Sequence, residues 1–129
     1  MNKWRIYLVC LLGALHLSAF AEDEPRRVYL FGVATNFNDS TVYLTEVQHL
    51  DSVALNPDGS LPNYVGYALQ LKVHLEGTLD ERDQTCAIIY SDKKKGLQKR
   101  FSAVRRKYQS SKEKKTKLID SGTFLFQKR

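Results

Sequence analysis

Cysteine is nearly missing from this chain: its 129 residues hold two, Cys10 and Cys86. Cys10 lies inside an N-terminal apolar run. The branched Val9 precedes it where a lipid-attachment cysteine follows a small residue, so it reads as a small hydrophobe of that run. Cys86 then stands alone in the apolar stretch TCAIIY. A lone thiol excludes an internal disulfide, and in such a setting it is inert core filling. Histidine is scarce as well, and only His49 and His74 fall outside the N-terminal run. Zinc needs three or four closely spaced ligands, and a catalytic cysteine needs a base beside an exposed thiolate. Neither pattern is present. Gly-rich phosphate loops, serine elbows and dinucleotide fingerprints are also lacking. The carboxylates of Asp80-Glu81-Arg82-Asp83 sit in a charged loop, with nothing nearby to bury one and split their pKa values. The sequence therefore assigns no catalytic residue, no metal ligand and no cofactor.

Long apolar runs are missing with one exception. Lys3 and Arg5 precede the apolar stretch Ile6–Leu17, Ala19-Phe20-Ala21 has small residues at both A-x-A positions, and Glu22-Asp23-Glu24 follows. This is the anatomy of a secretory signal peptide cleaved after Ala21. The stretch is shorter than the ~20 apolar residues that span a bilayer, and no other stretch reaches that length. The expectation is a protein exported to the periplasm or beyond, with residues 1–21 as the leader, 22–27 as a solvated lead-in and 28–129 as one domain. Its mature part contains no transmembrane span. An exporting compartment is oxidising, but the chain has no cysteine pair with which to exploit it.

Charge is present in quantity and unevenly placed. Residues 22–92 carry net −8, whereas residues 93–129 carry net +12. Such asymmetry points to an anionic partner more strongly than an overall charge does. It also permits the acidic part to neutralise the basic part across the fold.

Val28–Ala34 (VYLFGVA) is apolar and β-prone with little alternation, so this strand is covered on both faces or shows an aromatic one. After the turn formers TNFNDS, Thr41–Leu50 predicts a second strand in an antiparallel hairpin. Asn56-Pro57-Asp58-Gly59 is a turn. Ser60 and Pro62 then open a helix with Leu61, Tyr64, Val65, Ala68, Leu71 and Leu75 on one side, ended by Gly77. Tyr67, Leu69 and Val73 lie outside that stripe, so this helix packs on two sides or offers an apolar surface. TCAIIY predicts an interior strand, and Leu118–Gln127 a last strand bent at Ser121-Gly122. The order β-β-α-β-α-β predicts an α/β (α+β) two-layer sandwich, with a four-stranded mixed sheet and two helices on one face. Tyr29, Phe31 and Tyr43 would line the uncovered face.

Between TCAIIY and the last strand runs DKKKGLQKRFSAVRRKYQSSKEKKTK. Leu97, Phe101, Val104 and Tyr108 fall at i, i+4, i+7 and i+11, a narrow helical stripe, capped by Ser91 or Asp92. Lys95, Lys99, Ser102 and Arg106 point directly away from that stripe. Arg105 flanks one side with Lys94, and Arg100 and Lys107 flank the other. Lys95, Lys99, Arg100, Arg105, Arg106 and Lys107 are the candidate anion-binding residues. Lys93-Lys94-Lys95 opposes the helix dipole by a few tenths of a kcal/mol each, unless the helix begins nearer Gly96. Two readings stand for this surface: a solubilising face, and a contact for phosphates, acidic glycans, lipid headgroups or an acidic protein. Nucleic acid is disfavoured, because the run lacks exposed aromatics for base stacking.

Two short modification patterns occur: the N-glycosylation sequon Asn38-Asp39-Ser40, and the Asp-Ser/Thr forms at Asp39-Ser40-Thr41 and Asp51-Ser52-Val53. RVYLFGVATNFNDSTVYLTEVQHLDS, followed later by TCAIIYSDKKKGLQKRFSAVRRKY, resembles small exported proteins of gut-type bacteria. That likeness covers most of the chain and implies no particular activity. The peptidoglycan-binding SPOR domain is similar in size and in its Lys-rich helix after a strand. It needs a helix after its first strand, however, and TNFNDS is too short to supply one. The expected function is a non-enzymatic exported binding module using the basic helix on an anionic envelope component. A protein-interaction or oligomeric module using a sheet face or edge is the alternative, and an enzyme of unrecognised type the third.

Overall fold

The structure is a computed structural model that describes residues 26–129. The expected leader, its cleavage after Ala21 and the lead-in as far as Pro25 lie outside the described residues. The elements are β1 (Arg27–Asn36), β2 (Asp39–Thr45), β3 (Gln48–Asp51), α1 (Tyr64–Thr78), β4 (Thr85–Ser91), α2 (Lys94–Gln109) and β5 (Lys115–Ile119). Two helices and a mixed sheet form, as the sequence predicts, but the sheet has five strands where four are expected.

The fifth strand arises from a break. β2 pairs antiparallel with the second half of β1 (Val33 opposite Leu44), and β3 pairs with its first half (Leu30 opposite Gln48). Between them the register slips by one residue, at Glu46-Val47. β2 and β3 therefore run end to end along one edge of β1, while β4 takes the other edge and β5 adds to β2 in parallel. Buried Thr45 repairs the break, its hydroxyl accepting from Gly32 N–H at 2.8 Å and donating to Glu46 O at 3.0 Å. The hairpin turn is also tighter than TNFNDS suggests, with only Phe37 and Asn38 between the strands.

The expectation of both helices on one face is corrected. Alternate residues of β1 feed two separate cores. Val28, Leu30 and Ala34 join Tyr67, Leu71 and Leu75 of α1 in one. Phe31 and Val33 join Leu97 of α2 in the other, with the Phe31 and Phe101 rings 5.2 Å apart edge to face. The helices lie on opposite faces, which is why VYLFGVA shows so little alternation. Phe31 and Tyr43 are accordingly buried, on different faces, and Tyr29 is half-buried.

TCAIIY is an edge strand and not an interior one, since β4 pairs with β1 alone. It is apolar because a helix covers each of its faces: Ile88 enters the α1 core and Ile89 packs on the α2 core. α1 is rotated from its expected stripe. Tyr67 is fully buried and Val65 is 77% exposed, the reverse of the predicted placement. Apolar residues occupy so much of this helix that periodicity could not select a side. It starts later than Ser60, after Asn63 in the left-handed region at φ 60°. Ser60 instead closes the turn, its N–H and hydroxyl both donating to Asp58.

The last strand, β5, begins at Lys115, inside the lysine run, and residues 124–129 form no strand. Side chains hold that final segment instead. Gln48 donates to Phe124 O at 3.0 Å and accepts from Phe126 N–H at 2.8 Å. Gln70 does the same with both backbone groups of Gln127. Phe124 and Phe126 are thereby pressed into the α1 core.

Candidate anion-binding face

α2 docks through the stripe the sequence predicts. Leu97 is fully buried, and Phe101, Val104 and Tyr108 are half-buried against the same core. That anchoring turns the other side of the helix to solvent. Lys95, Lys99, Arg100, Arg105, Arg106 and Lys107 are all exposed. Lys95 and Lys99 share a shallow surface depression with Gln98 and Ser102. Gln98 escaped notice in the sequence. Its spacing from Lys95, three residues before it, and from Ser102, four residues after it, is the signal that places it there.

The helix begins at Lys94, with Lys93 as its N-cap, which rules out a start near Gly96. Ser91 accepts from Lys93 N–H at 3.0 Å, but no side chain caps the helix and its first turn contains no acidic residue. Three lysines thus stand where the dipole is positive. Arg106 and Lys107, in the last turn, are favourably placed.

The acidic half does not neutralise this surface by direct contact. Among the described residues, the salt bridges are Arg27–Asp51 (2.6 Å), His49–Asp51, Lys72–Glu76 and Arg82–Asp80, all within residues 27–82. None reaches α2. In the lysine run after the helix, Lys112, Lys114, Lys115 and Lys117 all remain exposed, and Lys117 lies on the α1 side, 5.9 Å from the Tyr43 ring centroid. Phe101 and Tyr108 turn toward the sheet, so no aromatic lies free among the cations for base stacking.

The residues weighed for catalysis stay apart. His49 is exposed next to Asp51, 3.8 Å away, whereas His74 stacks 4.9 Å from Phe124 in the other core layer. Burial pushes the Cys86 thiol up to about 11, partly offset by Lys72, so the neutral thiol prevails. Among the described residues no three His, Cys, Asp or Glu side chains gather as metal ligands, and no helix is long and apolar enough to cross a membrane. No family model, curated protein or solved structure matches this chain.

Proposed function

We propose that the chain is an exported, non-enzymatic binding module whose α2 face contacts an anionic component of the cell envelope. One observation carries this reading: the cations of α2 are exposed and unpaired, while every salt bridge among the described residues lies within residues 27–82. A rigid helix presenting six such charges gains about 1 kcal/mol per cation at an anionic surface. The attraction is screened over about 8 Å at physiological salt.

The test compares co-sedimentation of the protein with phosphatidylglycerol-containing and purely zwitterionic vesicles. Binding to the anionic vesicles, lost with added salt and with Lys99→Glu/Arg105→Glu/Arg106→Glu, is the expected result. Equal recovery on both vesicles at low salt sinks the proposal.

A further inference from the structure

We infer that β4 is a homodimer edge, pairing antiparallel with β4 of a second copy about a two-fold axis near Ile88. β4 bonds to β1 through its odd residues, so the N–H and C=O groups of Cys86, Ile88 and Tyr90 point to the free edge. The opposite edge is formed by β5, guarded by Lys115 and Lys117, and by β3, which is only four residues long; both features are usual defences against unwanted pairing. β4 (TCAIIYS) has no lysine, no proline and no bulge. Beside it, Val65 (77% exposed) and Leu69 (54%) border the same shallow depression as Thr85 and Cys86. They add apolar area that a bare strand pair lacks.

Charge selects a second copy as the occupant. The segment entering β4, Asp80-Glu81-Arg82-Asp83, has net −2, and the segment leaving it, Asp92-Lys93-Lys94-Lys95, has net +2. Antiparallel self-pairing brings the acidic end of each copy to the basic end of the other, twice per dimer. Shifting the axis by one residue toward either end preserves this match. Asp80 and Asp83 are exposed, and both hold positive φ, 53° and 58°, at the entry to the strand. The same arrangement places carboxylates near the α2 N-terminus, which has none of its own in the first turn. Lys99, Arg105 and Arg106 remain outward, and both copies of α2 lie on one side of the joined sheet. In the single chain the Tyr64 hydroxyl occupies the central Ile88 N–H at 2.9 Å, and pairing transfers that N–H to the partner strand.

Sedimentation velocity over a concentration series tests the inference. The wild-type chain is expected to pass from monomer to dimer, with the dimer weakening as salt is added. Cys86→Pro removes an outward N–H together with a thiol packed on the α1 core and should abolish the dimer. Cys86→Ala, which loses the thiol but keeps the N–H, should retain it, and Tyr64→Phe should tighten it about five-fold. Asp80→Lys/Asp83→Lys gives a copy basic at both ends, and Lys93→Glu/Lys95→Glu a copy acidic at both. Each alone should dimerise at least about ten-fold more weakly than wild type, and their mixture should recover a dimer. That recovery also shows that both variants are folded. A wild-type chain monomeric at every concentration, or a mixture no more associated than its components, overturns the inference.

Discussion

The two faces of the sheet are closed by helices of opposite character. On one, α1 buries Tyr67, Leu71 and Leu75 completely, and the segment carrying Phe124 and Phe126 completes the layer. On the other, Leu97 is the only fully buried residue of α2, and the rest of its stripe stays half-exposed. The first face is a core, with little freedom to change. The second is a docking of one narrow stripe, which leaves most of its helix available to a partner.

Truncating the central leucines measures the contrast most directly. Leu71 lies against Gly32, where an added Cβ would come within 2.5 Å of its Cδ2 and 3.2 Å of Phe126. Neighbours that tight cannot collapse into a hole, so Leu71→Ala should cost about 4–5 kcal/mol in urea unfolding. Leu97 is equally buried, but half-exposed Phe101 and Val104 can relax over it. Leu97→Ala should cost about 2–3 kcal/mol. Equal losses would show that both faces are packed alike.

The glutamine clamps sharpen the comparison within the α1 face. Gln48 is 7% exposed and serves two backbone groups. Gln48→Ala strands a carbonyl and an N–H in the core and should cost about 2 kcal/mol. Gln70 makes the same pair of bonds at an exposed site, where water replaces the lost partners. Gln70→Ala should therefore cost less than about 1 kcal/mol in the same assay.

Legibility in the sequence followed the same division. The α2 stripe and its outward cations stand in the sequence as they stand in the structure, because a helix anchored by one stripe advertises its orientation. α1 has apolar residues on all sides, so no periodicity distinguishes buried Tyr67 from exposed Val65. β4 shows the limit of composition, since a strand sandwiched between two helices looks interior even at a sheet edge. The final segment is held by Gln48 and Gln70, and no local pattern encodes bonds that span 57 to 78 residues. The cation surface was legible as a surface. That its charges lack ionic partners was not, because pairing depends on where the acidic half folds.

Cys86, beside α1, gives a pH-dependent reading of that side. Burial raises its folded pKa from 9.0 to about 11. The neutral thiol is the form the folded state favours. This contribution is therefore complete below pH 9 and is lost as pH rises through about 11. Alkylation near pH 8 should be about 100-fold slower in the folded protein than in urea, following the thiolate fraction. Equal rates would mean that the thiol is open to solvent.

The smallest effect expected on stability is on the α2 face, and its sign is opposite to the others. Lys94 and Lys95 lie in the first turn, where the helix dipole opposes positive charge and no acidic residue offsets it. Lys94→Glu and Lys95→Glu should each stabilise the monomer by about 0.3–1 kcal/mol at low salt, fading as salt is added. Such a gain in urea unfolding, measured at a concentration where the chain is monomeric, would show that these lysines are kept at a cost to the fold. Destabilisation by the same substitutions would show that the lysines contribute to the fold itself, and the contrast between a packed face and a free one would fail at this helix end.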